Sequence, residues 1–215
     1  MSFTSVPSKS IRLNRSELFV PGSKVDLFKK AASSNADIIC LDLEDAVAPQ
    51  DKEQAKKNVI QALKEVDFGK KTISIRINGL DTHYCYRDVI DVMENSGERL
   101  DLIMIPKAGV PEDVYAIDML VTQVEDKVGR KKKIGFELIV ETSMGITNLD
   151  RIISGSVRVE SLHFGYADYA ASVRMRTTNI GGSNSDYSIL TDETNGERSI
   201  HWNDMWHYPI SKMTT

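Results

Sequence analysis

The chain has 215 residues, with 27 basic and 31 acidic side chains and a formal net charge of −4. That length fits one domain over residues 1–215 and falls short of the roughly 250 residues of a full (β/α)8 barrel. The mild acidity argues against nucleic acid or anionic membrane as partners, and no run reaches the ~18 apolar residues of a membrane span.

Short runs rich in Ile, Val and Leu recur along the chain: Glu17 to Pro21, Asp37 to Leu43, Thr72 to Ile77, Leu102 to Pro106, Ile134 to Val140 and Ser161 to Tyr166. Runs of this length and type suit buried parallel strands. Helical spacing follows each of the first five. Ser23 is placed to cap a helix from Val25 to Ser33. Pro49 stands at a helix start, with Ala55, Val59, Ala62 and Val66 at three- and four-residue steps. Tyr84 to Asn95, a long segment opened by Pro111, and Ile146 to Ile153 complete the helices. Strict alternation predicts an α/β fold with a parallel sheet and right-handed crossovers.

About six β/α units are present. A loop from Thr177 to Ser199 follows, and HWNDMWHYPISKMTT then reads as the opening of another helix. The pattern suits either an open six-stranded sheet or a TIM-type (β/α)8 barrel truncated after six units. The second is preferred, because the last segment ends without a helix stop signal. The first residues carry no apolar signal core, and Cys40 and Cys85 lie far apart outside any CxxC. Both features predict a cytoplasmic protein with reduced thiols.

Most of the apolar runs end in charge. Asp42, Glu44 and Asp45 close the second, Arg76 the third, Lys107 the fourth, Glu141 the fifth and Asp168 the sixth. In parallel β/α folds the carboxyl ends of the strands form the site face, so these residues converge on one mouth. Glu141 and Asp168 form the metal pair: two nearby carboxylates repel unless a cation or proton lies between them. An all-oxygen set with few protein ligands points to Mg²⁺, with Mn²⁺ as the substitute. None of the four histidines has metal spacing, and His163 reads as a hydrogen-bonded interior residue. Arg76 is placed to grip a carboxylate, or to neutralise Glu44 or Glu141. Glu137 shares the side of Glu141 and is either a second acidic wall residue or a partner for a base. Gly22 and Ser23 offer free backbone N–H groups at a helix start, a weak anion site. The basic run Arg130 to Lys133 belongs to the opposite face, as a solvated loop.

The stretches FVPGS, DLEDAVAP, IRINGLDT, IMIPKAG, FELIVET and GYADYAASV, in this order, resemble the citrate-lyase β-subunit-like branch of the HpcH/HpaI aldolases. NGLDTHYCYRDV, TTNIGG at Thr177 to Gly182, and HWNDMWHYP resemble its malyl-CoA/β-methylmalyl-CoA lyase members. The resemblance implies a (β/α)8 barrel, assembly as a homo-oligomer (trimer or hexamer), and reversible cleavage of malyl-CoA to acetyl-CoA and glyoxylate. It implies Mg²⁺ on Glu141 and Asp168, Arg76 against glyoxylate, and coenzyme A held near Phe19 and Lys24, where relatives commonly have arginine in place of Lys24. Arg76, Glu44 and Asp45 are assigned to the catalytic group and Lys107 joins the substrate-binding set. Such relatives continue through further strands and a C-terminal lid carrying an acid/base aspartate. Citryl-CoA lysis, malyl-CoA hydrolysis and a non-catalytic binding subunit are the alternatives.

Overall fold

The computed structural model describes residues 12–96, 98–179, 188–192, 195–202 and 204–215. Positions 180–182 of the TTNIGG stretch and Asn203 of HWNDMWHYP lie outside these residues.

Six strands form one parallel sheet: β1 (Glu17–Pro21), β2 (Ile38–Asp42), β3 (Thr72–Arg76), β4 (Leu102–Ile105), β5 (Gly135–Val140) and β6 (Val159–Phe164). Their spatial order is the chain order, β1 to β6. Each strand is added on the same side of the last, so the crossover helices build a single layer on one face. A doubly wound sheet would reverse direction and carry helices on both faces. One-way addition is the barrel pattern. The outer edges of β1 and β6 do not pair with each other among the described residues.

Between these strands run α1 (Val25–Ala32), α2 (Lys52–Glu65), α3 (Cys85–Asn95), α4 (Pro111–Val128), and the short α5 (Ser143–Thr147) and α6 (Leu149–Ile152). α7 (Tyr166–Ser172) follows β6. A separate antiparallel pair, β7 (Ser188–Leu190) and β8 (Ile200–Trp202), precedes α8 (His207–Thr214). None of the described helices is long and apolar enough to cross a membrane.

Alternation along each strand sorts its side chains. Ile39, Leu41, Ile73, Ile75, Ile103 and Leu138 face the helix layer and join one large core. The intervening residues face the concave side, where Cys40, Met104 and Ile139 make a small separate cluster. Both cysteines are buried and unpaired with each other.

Several expected boundaries shift. Lys24, not Ser23, is the cap position of α1, and no side chain bonds there. Pro49 opens a 3-10 turn ahead of α2. The Ile146 to Ile153 segment lies across two short helices that meet at Asn148, because the Asn148 backbone leaves helical geometry (ψ 11°). β6 starts at Val159, two residues before the expected position. The Arg130 to Lys133 run is not simply solvated. Arg130 is buried and donates to the Leu100 and Lys132 carbonyls, Lys132 pairs with Asp101, and Lys133 pairs with Glu125 at 2.8 Å.

Candidate active site

The carboxyl ends of the strands carry the charged residues that the sequence placed there. Asp42, the last residue of β2, is fully buried and organises one half of the mouth. Its carboxylate accepts the Glu44 and Ala46 N–H groups at 2.8 and 3.2 Å, which turns the chain sharply after the strand. The same carboxylate takes Arg76 in a two-pronged pair, Nε at 2.8 Å and Nη2 at 2.6 Å. A guanidinium held this way has a fixed plane. Burial alone would lower the Arg76 pKa. The hydrogen bonds and charge of Asp42 outweigh it and hold it above its ordinary value.

The remaining arm of Arg76, Nη1, lies 3.1 Å from Glu44 and 3.7 Å from Asp45. The Arg76 guanidinium carbon stands 5.3 Å from the centroid of the half-exposed Phe19 ring. Lys107 Nζ closes the group by pairing with Glu44, with Asp45 at 3.8 Å. Sequence reasoning named Glu44 and Glu141 as partners for Arg76. Glu44 is one, Asp42 is the principal one, and no ion pair joins Arg76 to Glu141 among the described residues. Lys52 was not singled out. Its ammonium donates to the Leu43 and Glu44 carbonyls at 2.8 and 2.7 Å and pins the turn from below.

Gly22 shows why a glycine follows β1. A Cβ there would stand 3.0 Å from the Asp42 carbonyl oxygen and 3.0 Å from Val59 Cγ2. Lys24 is exposed on the same end of the sheet, outside the ion-pair cluster.

The other half of the mouth centres on Glu141, immediately after β5 and 3 % exposed. Lys107 connects the halves, since its backbone N–H donates to Glu141 Oε1 at 2.9 Å while its ammonium holds Glu44. To do both, Lys107 adopts φ 54°, a left-handed conformation that costs a non-glycine residue about 1 kcal/mol or more. Glu141 lies against Gly165, where a Cβ would fall 2.2 Å from Glu141 Oε2. The glycine therefore leaves the space that the carboxylate fills. Burial, and then the charge of Asp168, push the Glu141 pKa up to about 7. Asp168 does not end a strand as expected. It lies in the first turn of α7, four residues beyond Phe164, and its charge still reaches Glu141.

These donors fit a small divalent cation. Glu141 is buried with a single backbone donor, and the charge of Asp168 acts on it. An all-oxygen donor set of this kind suits Mg²⁺. Two other residues take roles that spacing did not reveal. Glu137 is fully buried but belongs to a different group, accepting from Ser74 Oγ at 2.6 Å and Ser161 Oγ at 3.2 Å and partnering a base, His163. His163 Nε2 lies 3.4 Å from Glu137 and 3.6 Å from Glu17, so a histidine without metal spacing in sequence does meet two acids in space.

A one-way parallel β/α sheet with charged residues gathered at its carboxyl-end mouth defines a protein of the (β/α) barrel class. The comparisons with known proteins agree on the lineage. The family model HpcH/HpaI aldolase/citrate lyase matches residues 15–184, and the chain belongs to that family. It is 50% identical over 97% of its length to L-malyl-CoA/beta-methylmalyl-CoA lyase of Cereibacter sphaeroides, and it spans 64% of that protein. It is 35% identical, over 84% of this chain and 53% of the relative, to malyl-CoA/beta-methylmalyl-CoA/citramalyl-CoA lyase of Chloroflexus aurantiacus. Among solved structures, CitE of Mycobacterium tuberculosis in complex with magnesium, acetoacetate and coenzyme A matches with a TM-score of 0.67 at 21% identity, covering 94% of this chain and 62% of that one. The fold is thus the barrel type of these enzymes.

Proposed function

We propose that the protein to which this chain belongs is a Mg²⁺-dependent carbon–carbon lyase acting on an acyl-CoA thioester, with malyl-CoA or β-methylmalyl-CoA as substrate and glyoxylate as one product. The observation that carries this reading is the buried Glu141 carboxylate, held by the Lys107 N–H against Gly165 and beside Asp168. The relatives' printed activities support the substrate class.

Glu141 and Asp168 would hold the metal, whose chemistry is Lewis-acid polarisation of the glyoxylate carbonyl. Mn²⁺ is the alternative ion. Arg76, locked by Asp42, presents fixed N–H groups to a carboxylate or to a developing oxyanion and needs no reorganisation. Phe19 and Lys24 flank the mouth on the β1 side and form the wall for coenzyme A, while Lys107 supplies a further positive charge for the substrate. Cleavage breaks the bond between the hydroxyl-bearing carbon and the thioester α-carbon. The hydroxyl gives up its proton, and the α-carbon takes one. Glu44 and Asp45, beside Arg76, are the carboxylates of this chain placed for proton transfer. Burial raises the Glu44 pKa despite its basic partners, which favours a proton-carrying role.

We further read residues 1–215 as one domain of a cytoplasmic homo-oligomer, a trimer or hexamer. The test is turnover of a thioester panel with and without Mg²⁺. Glu141→Ala and Asp168→Ala each reduce Mg²⁺-dependent malyl-CoA cleavage by about 10²-fold or more. Full activity in either variant overturns the site. Release of free coenzyme A without acetyl-CoA reassigns the reaction to thioester hydrolysis.

A further inference from the structure

The concave side of the sheet carries a polar layer that the mouth does not use. In barrel folds the inward side chains of alternate strands share one layer, usually filled by bulky branched residues. Here β1, β3 and β5 contribute Glu17, Ser74 and Glu137. His163 of β6 joins them from the next strand. The Glu137 side chain is fully buried and that of Glu17 is 8 % exposed.

Two carboxylates and one imidazole make a poor neutral core. No arginine or lysine among the described residues forms an ion pair with Glu17 or Glu137. Glu137 is oriented from both sides, by Ser74 on one oxygen and Ser161 on the other. Neither buried oxygen of Glu17 accepts a hydrogen bond, although the side chain is turned into the cluster. Two buried acids beside one imidazole are held by a protonated imidazole, by a shared proton or by a metal cation between them.

We infer that Glu17, Glu137 and His163 form a second cation site, taking a transition-metal dication, with Zn²⁺ the best fit. One ligand atom from each residue can be chosen so that all lie within 4.8 Å of one another. The imidazole nitrogen stands 3.4 Å from Glu137 Oε1 and 3.6 Å from Glu17 Oε2. Tetrahedral ligands at zinc bond lengths stand ~3.3–3.4 Å apart, close to both distances from the imidazole. An imidazole among carboxylates favours Zn²⁺ over Mg²⁺. The two serines hold Glu137 as outer partners hold metal-bound carboxylates. A cavity of about 130 Å³ at the amino ends of the strands, lined by Arg12, Asn14, Ile38, Leu102, Glu160 and Ser161, reaches Glu137 of the three ligands. Glu141 lies four residues further along the chain, about 13 Å at strand spacing, so the two sites do not share an ion.

The experiment measures Zn²⁺ content and affinity by equilibrium dialysis with excess Mg²⁺ present, and Co²⁺ absorption as a signature of the donor set. The wild-type protein retains one Zn²⁺ against Mg²⁺, and Zn²⁺ raises its melting temperature. His163→Gln and Glu17→Gln each weaken Zn²⁺ binding at least about tenfold and abolish that rise, while Glu141→Gln retains both. Glu17→Gln breaks no hydrogen bond seen in the structure, so it carries the test if His163→Gln does not fold. A wild-type protein that holds no Zn²⁺, or Zn²⁺ binding lost in Glu141→Gln and kept in Glu17→Gln, overturns the proposal.

Discussion

The two ends of the parallel sheet are built on opposite electrostatic plans. At the amino ends, the acids outside the Glu17, Glu137 and His163 layer are matched closely by bases. Arg15 pairs with Asp37 ahead of β1 and β2, at 2.7 Å. Asp101, just before β4, meets Arg99, Lys132 and Arg12. Arg158, just before β6, binds Asp118 and Glu125 of α4, both at 2.7 Å, and also donates to the Ile134 carbonyl at 3.0 Å. At the carboxyl ends, the carboxylates of Asp42, Glu44, Asp45, Glu141 and Asp168 face three cations, Arg76, Lys107 and Lys52. The first arrangement holds elements together. The second stores unbalanced negative charge where a cation can relieve it. The contrast teaches that ion-pair networks between elements and the unbalanced acidic mouth occupy different ends of the same strands.

That contrast can be broken first at Arg158. Arg158→Met leaves Glu125, whose side chain is fully buried, without its main partner. The expected loss is about 3–5 kcal/mol of unfolding free energy in urea, with Mg²⁺ affinity of the folded protein unchanged. A loss under 1 kcal/mol would mean that the amino-end network is ornamental. At the other end, Gly165→Ala drives a methyl group into the space of the Glu141 carboxylate. Calorimetry should show Mg²⁺ binding weakened about 10–100-fold, as for loss of an outer partner. Unchanged affinity would remove Glu141 from the metal site.

The smallest effect concerns acid. Burial would raise the pKa values of Asp118 and Glu125. Hydrogen bonds from Ser156 and Arg158 to Asp118, and from Arg158 and Lys133 to Glu125, outweigh it and hold both below their ordinary values. Carboxyls depressed in the folded state add stability above their unfolded pKa, and that stability is lost as pH falls through the folded value. Thermal melts should therefore decline below about pH 4, and the decline should be shallower in Arg158→Met. Glu141 works with the opposite sign. Its pKa rises from 4.5 to about 7, so its ionisation costs the metal-free fold increasingly across that interval.

The architecture was largely legible in the sequence. Ile- and Val-rich runs broken by helical spacing gave six strands whose positions agree within two residues, since burial on both faces demands that composition. The mouth was legible because Arg76, Lys107 and Glu141 stand at or just beyond strand ends. Asp42 was visible as a strand end but not as the clamp on Arg76, because no spacing rule links residues 34 apart. The Glu17, Glu137 and His163 layer stayed hidden for a related reason. Alternation tells which residues share a face of one strand, but not which strands bring those faces together. Arg158 was missed because its partners come from α4, and only the packing of helix on sheet creates that encounter.

Lys107 carries a last consequence. Its amide and its ammonium grip carboxylates on opposite sides of the opening, and both grips depend on one twisted peptide unit. The two halves of the opening thus share one residue, and a substitution at position 107 bears on an anchor of both.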